Sequence, residues 1–344
     1  MKRIRVILLG SFFIFLMGLT ATLTVFAEEG ADFTVVPNYG AGQTNQDVGY
    51  FSIKAENEKT YPIKVTIFNL SKKEDNTFSI QLVQASTTNN GRIDYTPSKE
   101  NKINSGDISI IDLAEKTKRK QQVTIKANES KEVEINLKVP KEGVKGTLLG
   151  SIYVKKMPKE QKEVEGIGVI NAFAMTIPII MSQDFDKKIA PQLELTDAKL
   201  VSDTGVPKVV GEVSNFAPAM FGQIFVKAWV TEGKKSDKLF ESEADSYEMA
   251  PNSSFQFTLD TKNHLLKPGT YTYHMVMKSG EKTFNLKRDF TVNQKIREEV
   301  NKKLLQSEPK LYNIWLIVSV ILGVLLFISL LLYFLNRKKG AKNK

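Results

Sequence analysis

From Asp32 to Val292 the chain alternates apolar and polar side chains over short runs, punctuated by Gly, Pro, Asn, Asp and Ser. Residues two apart share one face of a β-strand, so each run buries one face and wets the other. The plainest run is 131–139: Val133, Ile135, Leu137 and Val139 point one way, Glu132, Glu134, Asn136 and Lys138 the other. The same reading predicts strands over 50–55, 61–69, 77–85, 147–155 and 172–181. A second set covers 192–200, 206–214, 223–231, 254–259, 270–278 and 282–292. Long helical periodicities do not compete, and about seven short strands per unit is the pattern of an immunoglobulin-like sandwich. The expected fold is all-β, with two such sandwiches in tandem.

The tandem reading comes from order. In the first set a strand ends at Phe68-Asn69, Ala127-Asn128-Glu129-Ser130 opens an alternating strand and Gly146-Thr147 opens the next. In the second, Ser214-Asn215, Ala250-Pro251-Asn252-Ser253 and Gly269-Thr270 take those places. The parallel makes 172–181 the last strand of the first unit. Expected boundaries are 28–186 for the first sandwich and 187–293 for the second. Residues 294–312 follow as a stalk, in which Ile296, Val300 and Leu304 recur at four-residue spacing; a short helix and a polar linker both fit.

The two ends differ from this middle. Lys2, Arg3 and Arg5 precede an apolar run to Phe26, so 1–27 reads as a signal peptide cleaved after Ala27. Residues 313–335 read as a transmembrane helix, with an uncharged stretch long enough for about 30 Å of hydrocarbon. Arg337, Lys338, Lys339, Lys342 and Lys344 follow in 336–344, a basic cytoplasmic tail that places the sandwiches outside. These signals predict a single-pass cell-membrane protein with its ectodomain facing the wall of a Gram-positive bacterium. They also absorb the charge. Of the +10 total, the ends hold eight basic residues and no acid, which leaves 40 basic and 38 acidic residues over 28–311. A nucleic-acid partner is therefore not implied.

Catalytic chemistry is scarce. There is no cysteine, so a thiol nucleophile is excluded and stability rests on sheet and core rather than disulfides. The two histidines are His264, in a polar turn, and His274, on a strand facing away from Tyr271, Tyr273, Met275 and Met277. Both read as polar surface residues, and no metal-ligand spacing recurs. No catalytic residue, cofactor or metal is expected. Lys116, Lys118, Arg119 and Lys120 form the concentrated positive patch of the ectodomain, suited to an anionic wall polymer or to plain solvation. Tyr39, Tyr50, Tyr95, Phe216, Phe221 and Trp229 are candidate aromatic contacts, or core.

The order of motifs resembles the WxL-protein-interacting family of Gram-positive cell-surface proteins. It is carried by Phe33-Thr34-Val35-Val36-Pro37, Gly49-Tyr50-Phe51, Ala85-Ser86-Thr87 with Gly91-Arg92-Ile93-Asp94-Tyr95, and Gly146-Thr147-Leu148-Leu149-Gly150. In the second unit it is carried by Pro191-Gln192-Leu193-Glu194-Leu195, Met249-Ala250-Pro251-Asn252-Ser253 and Leu266-Lys267-Pro268-Gly269-Thr270-Tyr271. Two positions depart from the family pattern: the stretch Asn38–Gln46, and Phe284 where a Trp is usual. The resemblance implies a non-enzymatic surface adaptor with a peptidoglycan-binding module and a host-binding module, partnered by secreted WxL-domain proteins, with host matrix proteins as a further candidate partner. An adhesin that grips host matrix directly, or a structural spacer, is the alternative. On the first module the expected wall-facing surface is Thr87, Asn89, Asn90, Gly91, Arg92 and Tyr95, for which a hairpin turn with one core tyrosine is the plain reading.

Overall fold

The computed structural model describes residues 31–98, 107–158, 172–203, 205–233, 235–306 and 328. The expected signal peptide and basic tail lie outside these residues, as does 313–335 apart from Ile328. The described chain is mostly β-sheet and builds two successive units.

The first unit contains β1 (Phe33–Asn38), β2 (Phe51–Lys54), β3 (Thr60–Asn69), β4 (Asn76–Gln84), β5 (Ser86–Thr87), β6 (Ile93–Asp94), β7 (Lys120–Ile125), β8 (Ser130–Lys138), β9 (Thr147–Lys156) and β10 (Ala174–Ser182). A β1-β3-β8 sheet accompanies a β2-β10-β9-β4-β7 sheet, and β5 with β6 forms a separate two-stranded ribbon. β2 runs parallel to β10, while β9 and β10 are antiparallel. The alternation explains the core. Tyr61, Ile63, Val65 and Ile67 of β3 and Val133, Ile135 and Leu137 of β8 are buried, and Phe33 meets Phe78 at a ring separation of 5.1 Å.

The second unit contains β11 (Leu193–Asp203), β12 (Val206–Asn215), β13 (Phe221–Glu232), β14 (Lys238–Met249), β15 (Ser254–Asp260), β16 (Gly269–Ser279) and β17 (Lys282–Val292). Its sheets are β11-β12-β15 and β14-β13-β16-β17. Setting β11, β12 and β15 beside β1, β3 and β8, and β14, β13, β16 and β17 beside β7, β4, β9 and β10, gives one strand order in both units. The buried residues form a second core, in which the Tyr273 hydroxyl donates to the Phe257 carbonyl at 2.8 Å and so avoids a buried unsatisfied group.

After β17, α1 (Gln294–Gln306) begins where the Asn293 side chain accepts the Ile296 N–H at 2.8 Å. Val300 is buried and Ile296 partly buried against the second core, so this part of the expected stalk docks on the second unit. The single-pass membrane assignment is corrected: among the described residues no helix is long and apolar enough to cross a membrane. The helix formed by 294–306 has 13 residues, about 20 Å at 1.5 Å per residue, and is rich in charge.

Candidate binding surfaces

Three surfaces gather the residues picked out by the sequence. The first lies between the units. β5 and β6 pair as a short ribbon, and its tip closes through the Thr88 N–H on the Arg92 carbonyl at 2.8 Å and the Gly91 N–H on the Thr88 carbonyl at 2.9 Å. This is the turn that Asn89-Asn90-Gly91 predicts. Its tip, however, is inserted into the second unit. Gly91 has φ +66°, and a Cβ there would fall inside the Tyr247 ring, so both the backbone and the packing require glycine.

The hydrogen bonds of this ribbon point the same way. Buried Thr87 Oγ1 accepts the Ala250 N–H at 3.0 Å and lies 2.6 Å from Ser253 Oγ. Ser253 Oγ donates to the Ala250 carbonyl at 2.8 Å, so the Thr87 hydroxyl must be the donor to Ser253. Asn89 Oδ1 accepts the Gln256 N–H at 2.8 Å, and the Gly91 carbonyl accepts the Glu248 N–H at 2.8 Å. Arg92 and Glu248 form an exposed ion pair at 3.9 Å. Beside them the Thr147 N–H reaches the Pro218 carbonyl at 2.8 Å, and Ala85, Leu149 and Ala250 form a small apolar cluster flanked by Ile93, Tyr95 and Ile180. Burial, with a smaller push from the Glu248 carboxylate, raises the Tyr95 hydroxyl to about 12.

Thus Thr87, Asn89, Gly91 and Arg92, four of the six residues expected on a wall-facing surface, touch the second unit. Tyr95 joins the cluster beside them, and Asn90 is exposed at the tip. Their partners Tyr247, Glu248, Ala250, Ser253 and Gln256 were not singled out as site residues. Only the Ala250–Ser253 turn carried a sequence signal, and that signal is local.

The second surface is the basic loop. Lys116 and Lys118 lie in a 3-10 turn and Lys120 opens β7, all three exposed. Arg119 is different: its Nε donates to the Ala114 carbonyl at 3.1 Å and its guanidinium lies 3.5 Å from Asp112, whose carboxylate accepts from Ser109. Arg119 braces the loop, and the lysines are its outward charges.

The third surface is the outer face of the four-stranded sheet. Register places Trp229, His274 and Lys287 in one row and Thr231, Thr272 and Asp289 in the next. The Trp229 and His274 rings stack at 5.1 Å with planes 4° apart, and Lys238 Nζ is 5.2 Å from the indole centre. His274 Nε2 is 3.1 Å from Thr231 Oγ1, and the Thr272 hydroxyl donates to Asp289 at 2.6 Å. Burial first, then Lys287, depresses the His274 pKa below 6.5, against a smaller opposing pull from Asp289. A concavity of about 730 Å³ opens beside this row. His264 is exposed in the turn before β16, with Nδ1 3.2 Å from the Thr261 carbonyl. Among the described residues no cluster of three metal-ligand side chains occurs.

Comparison with known proteins gives two matches of family models. Residues 33–156 match the WxL Interacting Protein peptidoglycan binding domain, and residues 164–302 match the WxL Interacting Protein host binding domain. Both models describe binding modules. No curated protein matches. Among solved structures, the Pseudomonas aeruginosa CupB2 chaperone is 11% identical over 69% of this chain and 94% of its own, with a TM-score of 0.24. The CsuC–CsuE chaperone-tip adhesion subunit pre-assembly complex of Acinetobacter baumannii is 14% identical over 67% of this chain and 91% of its own, with a TM-score of 0.26. The calcium binding domain CBD12 of CALX1.1 is 11% identical over 65% and 76%, with a TM-score of 0.19. These likenesses are too distant to carry a function.

Proposed function

This chain belongs to the WxL-interacting protein family, and from that premise we propose that it is a non-enzymatic cell-surface adaptor linking wall polymer, secreted WxL-domain proteins and host protein. The observation that carries the proposal is the pair of family matches lying end to end along a chain that builds two units of one strand order, the second match also taking in β10 of the first unit. The pairing of β1 with β3, and of β2 in parallel with β10 on the opposite sheet, supports an immunoglobulin-like reading of the first unit. Such sandwiches present loops and edges to partners while the core stays closed.

Peptidoglycan is the wall ligand of the first unit. Its exposed lysines Lys116, Lys118 and Lys120 add a long-range attraction to anionic polymer, screened by salt, while neutral glycan contacts supply the specific binding. Because the ribbon 86–94 is engaged with the second unit, the glycan surface lies elsewhere on the first. Within the ribbon, Asn90 and the Arg92 side chain stay exposed, the latter in its 3.9 Å ion pair with Glu248.

The test is co-sedimentation of the full chain with Gram-positive sacculi, before and after acid removal of teichoic acids. Wild-type protein pellets in both cases. Replacing Lys116, Lys118 and Lys120 by Glu reduces binding to unstripped sacculi and leaves binding to stripped sacculi unchanged. Failure of the wild type to pellet with either preparation rejects the wall-binding half of the adaptor.

A further inference from the structure

We propose that the outer edge of β14, from Lys238 to Ala244, is a strand-addition site for an extended segment of a host polypeptide in which apolar residues alternate with basic ones. This rests on the host-binding reading of the second unit and names the chemistry of its partner.

β14 is a terminal strand, paired with β13 alone in its sheet, and at 12 residues it is twice the length of β7, its 6-residue counterpart in the first unit. A terminal strand offers a row of main-chain donors and acceptors that another extended chain can complete. One end of this edge is already used in that way. The Glu248 N–H donates to the Gly91 carbonyl, so a main-chain group of the ribbon tip seats against β14 at its Tyr247–Met249 end. A bulge then intervenes: the register with β13 slips between Ala244 and Tyr247, and Ser246 takes φ +59°. Beyond it, among the described residues, no other main-chain hydrogen bond reaches the outer edge of Lys238–Ala244. The candidate site therefore continues an interface the molecule has already built.

The side chains say what would fit. Three strands face four in this unit, and the coverage is uneven. Val226, Ala228 and Val230 of β13 and Met275 of β16 are fully covered, whereas Phe240 and Ala244 of β14 pack on the same core only partly buried. Leu239, skipped where the register with β13 slips between Val230 and Thr231, is 41% exposed and lies outside that core. An added strand with apolar residues directed inward would finish that flank. On the other face, Glu241, Glu243 and Asp245 supply three carboxylates with no base between Leu239 and Asp245. Lys227 on β13 approaches Glu241 at 3.9 Å and Glu243 at 3.2 Å, and Lys238 reaches Glu241 at 2.7 Å. Counting both lysines, the strip retains a net negative charge, which favours basic residues on the outward face of the incoming strand and disfavours acidic ones.

The probe is a nine-residue peptide alternating lysine and valine, blocked at both termini, with an alternating glutamate and valine peptide as its counterpart. Each is titrated against the full chain by fluorescence anisotropy and by amide hydrogen exchange. The lysine peptide is expected to bind at least tenfold more tightly than the glutamate peptide and to slow exchange over Lys238–Ala244. A Glu241→Lys, Glu243→Lys double variant, whose exposed side chains make misfolding easy to check by thermal melting, is expected to reverse the preference. Absence of protection on β14, or a preference the double variant leaves unchanged, overturns the proposal. A host matrix protein captured by the wild type and lost in the double variant supports the stated occupant, and equal capture by both overturns it. Should the wild type capture no matrix protein while β14 still binds the lysine peptide, the host-binding reading falls and the strand-addition site stands.

Discussion

At the scale of single residues, the Trp229–His274 pair offers a built-in reporter. An imidazolium held face to face with an indole quenches its emission, and the rings here are 5.1 Å apart and nearly parallel. Because burial and Lys287 favour the neutral imidazole, emission should fall as pH drops through a midpoint below 6.5. The His274→Gln variant should lose that step, and Lys287→Met should move it upward; a midpoint at or above 6.5 in the wild type would refute the burial argument. The sign for stability follows. A base whose folded pKa is depressed contributes nothing at high pH, and the fold is penalised as pH falls from 6.5 through the folded value. Strand parity in the sequence already faced His274 away from Tyr271 and Tyr273, and the structure agrees. What parity does not give is the neighbour across the ladder, since Trp229 and His274 are brought together by the register of β13 on β16.

At the scale of elements, legibility followed burial. From Val133 on, β8 is buried on one face and alternates in kind, so its period is plain. β14 reads Lys-Leu-Phe-Glu-Ser-Glu-Ala-Asp-Ser-Tyr-Glu-Met and was not predicted, because a half-covered terminal strand has little need for apolar residues on its inner face. The helix after β17 was half legible: its four-residue spacing was visible, but nothing local distinguishes a stalk from a docked helix. Docking makes a prediction. Val300→Asp would place a carboxylate against β11 and β12 and should cost about 3 kcal/mol, against under about 0.5 kcal/mol for exposed Lys302→Ala. Urea denaturation measures both, and equal midpoints would show that the helix does not contribute to the second core.

At the scale of the whole molecule, the two cores are joined by buried hydrogen bonds and an apolar cluster rather than by a bare linker. The units should therefore unfold together. Calorimetry of the wild type should show one transition, and Gly91→Val should split it in two by driving a side chain into Tyr247 from a left-handed backbone. Two transitions in the wild type, or one in the variant, would contradict this coupling. The ribbon shows why this part of the site was illegible. Asn89-Asn90-Gly91 signals a turn through local chemistry, while the residues that satisfy Thr87 and Asn89 lie more than 160 positions later in the chain.

The ribbon also bears on how such proteins can recombine. The second unit leaves main-chain donors at Glu248 and Gln256, on two different strands, that are satisfied by residues 89 and 91 of the first. β10, although it falls within the span matched by the host-binding model, is laid into the sheet of the first unit. A crossover between the two matched segments would thus strip a strand from one half and leave unfinished edges on the other. Separating the two halves therefore leaves buried polar groups unpaired on both sides, so each half is built to be inherited with the other.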